Sequence, residues 1–108
     1  MVKLYRAVSK SEKDDYDDQH VLRTGRNTLE AKQFFKSREA VNEFVANARL
    51  QQYDPPYEYL LIISTNNLEF DDPIYTNMPL DGYEAISIHE DNLPTFNNYI
   101  KFVEQETL

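Results

Sequence analysis

The stretch Leu4-Tyr5-Arg6-Ala7-Val8-Ser9, taken with Lys32-Gln33-Phe34-Phe35-Lys36-Ser37, decides how this chain is read. The first segment alternates as a β-strand does. Leu4, Arg6 and Val8 share one side, and Tyr5 and Ala7 share the other. An arginine is thus interleaved with the apolar side of its own strand. The second segment reads as a short aromatic strand, Gln33 to Lys36, that runs into a helix. Phe34 and Phe35 point to opposite faces, so one of them belongs to the core.

Working outward, Ser9 and Glu12 have capping-box spacing and predict a helix from about Lys10 to Gln19. Asp14, Asp15, Asp17 and Asp18 make that helix acidic, which reads as a solvated face. Arg23 to Glu30 is a polar loop punctuated by Gly25 and Asn27. Ser37 is a good N-cap, and Val41, Phe44, Val45 and Ala48 recur at i, i+3, i+4, i+7, so a second helix ends near Gln51. Asp54-Pro55-Pro56 follows and cannot continue it. Glu58 to Ser64 is nearly continuous apolar sequence and predicts a central strand buried on both faces. Asn66 to Asp81 reads as a long loop with a short extended piece, and Tyr83 to His89 as another alternating strand. Residues 96–106 fit a helix through Phe96, Tyr99, Ile100 and Val103, and also fit a strand after Asn97-Asn98. The strand is the preferred reading.

Composition bounds the function. A chain of 108 residues is read as a single domain, 1–108, with one core of moderate size. Net charge is −8, with 19 acids against 11 bases, which repels nucleic-acid phosphates and favours a basic protein partner. Without cysteine there is no disulfide, thiolate nucleophile or cysteine-based zinc site. Two glycines, Gly25 and Gly82, far apart, exclude a glycine-rich phosphate loop. His20 and His89 have no ligand spacing around them, so no metal site is expected. The longest apolar run, Leu60-Leu61-Ile62-Ile63, is too short to span a bilayer. With no signal-peptide pattern at Met1, the chain reads as cytoplasmic, or as a domain excised from a larger secreted protein.

Several segments together resemble small bacterial ADP-ribosyltransferase-like domains of the toxin type. They are Leu4-Tyr5-Arg6-Ala7-Val8-Ser9 with Glu12, then Asn27-Thr28-Leu29-Glu30-Ala31-Lys32-Gln33-Phe34-Phe35-Lys36-Ser37-Arg38-Glu39-Ala40, then Leu80-Asp81-Gly82, Asp91-Asn92-Leu93 and Asn97. The resemblance implies an α+β fold of two packed, mainly antiparallel sheets, with two helices in the N-terminal half. NAD would bind between the sheets as a substrate. Arg6 would hold its phosphate, Phe34 or Phe35 would lie against nicotinamide, and Ser37 would support the cleft. Glu84, at a strand entrance beside Tyr83, would be the catalytic carboxylate. Arg6, Phe35 and Glu84 would then converge on one concavity. The chain departs from the pattern at Ala31, Gln33 and Gly82. Two functions therefore stay open. One is an NAD-binding ADP-ribosyltransferase or NAD glycohydrolase-like domain, with its activity intact or degenerate; the other is a non-catalytic acidic module, like an immunity or inhibitor protein, that captures a basic partner.

Overall fold

The computed structural model describes residues 2–23, 31–66, 74–80 and 82–108. Strand β1 (Val2–Val8) leads into helix α1 (Lys10–Gln19), strand β2 (Ala31–Phe35) and helix α2 (Arg38–Leu50). Strand β3 (Tyr59–Thr65), the two-residue β4 (Thr76–Asn77) and β5 (Ala85–His89) follow. A short 3-10 turn at Glu90–Asn92 opens into helix α3 (Leu93–Tyr99), and β6 (Ile100–Thr107) completes the fold. The predicted loop at Arg23 to Glu30 lies outside the described residues beyond Arg23, as does half of Asn66 to Asp81.

The strands form one six-stranded antiparallel sheet in the order β4-β5-β2-β1-β3-β6. Two packed sheets were expected. The single sheet arises because β1 pairs on both of its edges, with β2 through Tyr5↔Phe35 and with β3 along its whole length. β2 then adds β5, and β3 adds β6, so the strands join into one continuous sheet. The sheet's two apolar faces are covered by helices instead of a second sheet. Among the described residues no helix is long and apolar enough to cross a membrane.

One face carries Leu4, Val8, Phe34, Leu61, Ile63, Ile86 and Ile88, packed against Leu93 and Phe96 of α3 and Tyr16 of α1. The other carries Ala7, Phe35, Leu60, Ile62 and Ala85, packed against Ala40, Val41 and Val45 of α2. This is the strict strand alternation read from the sequence, and it makes a three-layer arrangement with α2 on one side and α1 and α3 on the other. The connections fit it. β2 and β3 run parallel on either side of β1, joined by α2; β5 and β6 run parallel to each other and opposite to that pair, joined by α3. Reversing both strand direction and covered face preserves the hand, so both crossovers share one handedness.

The helix boundaries have local causes. The Ser9 hydroxyl accepts from the Glu12 backbone N–H and starts α1; the Ser37 hydroxyl accepts from Ala40 and starts α2. α3 is the element that differs from the preferred strand reading of 96–106. Pro94 sits in its first turn, and the Asn97 side chain bonds both the Leu93 carbonyl and the backbone of Leu22. Those bonds hold a helix as far as Tyr99, and only Ile100 onward is extended.

Phe96 is fully buried with its ring 5.2 Å from that of Phe34, whereas Leu50 at the end of α2 is 83% exposed. Phe96→Ala is therefore expected to cost about 3–5 kcal/mol in denaturant unfolding. Leu50→Ala should stay within about 0.5 kcal/mol. Comparable losses would contradict α3 as a core element.

Candidate functional site

The polar feature nearest the centre of the sheet is built on Arg6. Its strand places it on the Leu4/Val8 face, where an uncompensated guanidinium would be costly. α1 supplies the compensation. Arg6 Nε donates to Glu12 Oε2 at 2.7 Å and Nη2 donates to Oε1 at 2.9 Å, a two-bond fork. Nη1 donates to the Gln33 carbonyl at 2.9 Å, and the guanidinium lies 5.7 Å from the centre of the Phe34 ring. Lys32, only 4% exposed, brings its ammonium to 3.3 Å from Glu12 Oε2. One carboxylate thus serves two cations.

The titration behaviour follows from that geometry. Burial alone would raise the Glu12 carboxyl, but the hydrogen bonds and charge of Arg6, with Lys32, outweigh it and hold it below its ordinary 4.5. Lys32 is pushed below its ordinary 10.5 by burial and by the Arg6 charge, which Glu12 only partly offsets. Arg6 is the main partner of Glu12, and Lys32 is the strained third member.

The residues expected to hold NAD fall in different places. Arg6 and Phe34 meet on one face, but Phe34 is fully buried against Phe96. Phe35 lies on the opposite face, 5.2 Å from Phe44, so Arg6 and Phe35 do not line a common concavity. Both phenylalanines are core because helices cover both faces. The Ser37 hydroxyl is occupied as the N-cap of α2. Glu84 is exposed at the start of β5, where its carbonyl accepts from Lys36 N–H at 3.3 Å. Asp81 and the segment Asn27 to Glu30 lie outside the described residues.

Two members of the charged cluster were missed by sequence reasoning. Glu12 was read as a capping residue, yet its carboxylate serves the sheet instead. Lys32 was part of a motif without a role. The available signal was parity: Lys32 shares a strand face with Phe34, so a buried lysine there required an acid from the element above.

A groove of about 180 Å³ lies elsewhere, lined by Ala48, Arg49, Gln52, Tyr53, Pro56 and Tyr57. Its volume is below the roughly 300–1,000 Å³ of ordinary ligand pockets. The Tyr53 and Tyr57 rings stack at 5.2 Å, and burial together with Tyr53 pushes the Tyr57 hydroxyl up to about 12. None of the expected site residues lines it. Among the described residues no group of three or more histidines and carboxylates is placed to hold a metal ion.

Glu12 is expected to be the more consequential member of the pair it forms with Lys32. Glu12→Gln leaves two cations uncompensated and should cost about 2–3 kcal/mol at pH 7, less than a fully buried pair because water reaches part of each side chain. A carboxyl whose folded-state pKa is lowered adds stability above its unfolded value, and that stability is lost as pH falls through the folded value. The gap between native chain and variant should therefore close below pH 4.5. Lys32→Met should change stability by less than about 1 kcal/mol at pH 7, because Arg6 alone satisfies both Glu12 oxygens. Urea unfolding across pH measures all three; equal losses for the two variants would contradict the assignment.

Comparison with known proteins identifies no relative: no family model, curated protein or solved structure matches this chain.

Proposed function

We propose that this chain is a non-catalytic binding module that captures a partner with a basic surface. The observation that carries the reading is the Arg6–Glu12 fork: the guanidinium a dinucleotide phosphate would need is already engaged by a carboxylate of the same chain. The disposition of the acids supports it. Asp14, Asp17 and Asp18 follow one another at i, i+3, i+4 on the exposed flank of α1. Lys10 and Lys13 bridge Asp14 and Asp17 only at the surface. Asp17 also accepts from Gln105 of β6, a strand whose Glu104 and Glu106 are exposed. Acids thus flank the β6 edge on both sides of the sheet, Asp17 on the α1 side and Glu104 and Glu106 on the α2 side, on a chain of net charge −8.

The rival reading is an NAD-binding ADP-ribosyltransferase-like or NAD glycohydrolase-like domain. It is favoured by the approach of Arg6 to Phe34 and by the sequence resemblance. In that reading Glu12 releases Arg6 to the pyrophosphate, and Glu84 stabilises the oxocarbenium-like ribose as the nicotinamide bond breaks.

Thermal shift separates the two. NAD and a lysine-rich peptide are titrated separately, with nicotinamide release followed alongside. The binding-module reading expects stabilisation by the peptide that fades between 50 and 300 mM salt, with none from NAD. A bound NAD at 100 times its Kd would instead add about 2.7 kcal/mol. That result, with nicotinamide release lost in Glu84→Gln, would reverse the conclusion.

A further inference from the structure

The sheet ends in two unlike strands. β4 is two residues long, a common way to blunt an edge. β6 is eight residues long, and no described residue pairs with its outer side. Its pairing with β3 is regular from Phe102 to Thr107, and the register shift lies beyond that, between Ser64 and Thr65 on the partner strand. About 20 Å of straight edge therefore presents backbone N–H and C=O groups outward.

We propose that this edge takes up an extended cationic segment of a partner protein as a seventh strand. The inference rests on the binding-module reading and gives it a surface and a mode. Backbone pairing supplies affinity in such strand addition, and alternate side chains supply specificity. On the α2 side of the sheet the edge shows Phe102, Glu104 and Glu106 in succession. Phe102 is 42% exposed. Among the described residues Arg38 bridges Glu106 and lies within electrostatic reach of Glu104, so two carboxylates face one guanidinium there, while Lys101 lies at the start of the strand, before Phe102. On the other side Gln105 joins the edge to the acidic flank of α1 through Asp17. A complementary antiparallel strand therefore carries Lys or Arg opposite Glu106 and Glu104 and an apolar residue opposite Phe102: basic, any, basic, any, apolar. A second copy of this chain is a poor occupant. Two chains of net charge −8 repel, and pairing β6 with β6 brings Glu104 and Glu106 of both edges together.

The experiment uses the full isotope-labelled chain and two synthetic peptides. One alternates Lys, Thr, Lys, Thr, Phe; the other replaces both threonines by proline, which keeps the charge and prevents a ladder. The first should bind more tightly, and amide protection should appear within Phe102 to Thr107. Glu104→Lys should weaken it about fivefold with no change in Tm, since Glu104 is exposed. Equal affinity for the two peptides, or amide changes confined to α1, would overturn strand addition while leaving the acidic binding module standing. Binding of neither peptide would overturn both. Doubling of mass without peptide, with protection in β6, would make a second copy the occupant and also overturn the proposal.

Discussion

The fork between Arg6 and Glu12 is the constraint around which the molecule is arranged. α1 buries none of its residues completely, and Tyr16 is its one apolar side chain against the core. An ordinary surface helix docks through an apolar stripe. This one docks through charge: Glu12 to Arg6 and Lys32, Lys13 over the Tyr59 ring, and Asp17 to Gln105. The arrangement is directional where an apolar stripe would be tolerant. It sets the rotation of α1 about its axis and so decides which acids turn outward.

The same fork explains why the sheet tolerates cations on a face that is otherwise mainly leucine, valine, isoleucine and phenylalanine. Charge in such a setting is costly until neutralised and hydrogen-bonded. Arg6 meets that requirement with bonds from all three of its nitrogens. Lys32 meets it less well, which is why its pKa falls while that of Glu12 falls for the opposite reason. α2, on the other face, is conventional: Ala40, Val41 and Val45 cover Phe35, Leu60 and Ile62.

Much of this was legible in the sequence, and the illegible parts share a cause. β1, α1, α2 and β3 follow from local periodicity and from the caps Ser9 and Ser37, which depend on near neighbours alone. Residues 96–106 supported two periods because each holds in part: Phe96 and Tyr99 belong to a helix, and Ile100 and Val103 to a strand. The boundary depends on Asn97 reaching Leu22, 75 residues away in sequence. Long-range pairing also decided one sheet against two, since nothing near Tyr5 in sequence states that it faces both Phe35 and Ile62. For the site, Arg6 was legible as an unusual strand residue. Its partner was not, because Glu12 also satisfied a local rule for starting a helix.

The placement of β1 has a consequence for how the chain assembles. The N-terminal strand sits inside the sheet, and its partners in β3 lie between 51 residues away, for Val8↔Tyr59, and 63 residues away, for Val2↔Thr65. The ladder of β2 with β5 spans similar separations, from Phe35↔Ala85 to Ala31↔His89. Among the described residues, the strands that neighbour in sequence and pair are β4 with β5, briefly, and β1 with β2, where Tyr5↔Phe35 spans 30 residues and a helix lies between. Loop-closure entropy must then be met before most pairings give any return. Most of the sheet therefore depends on contacts far apart in sequence, and no fragment that ends before β3 holds a partner for the open side of β1.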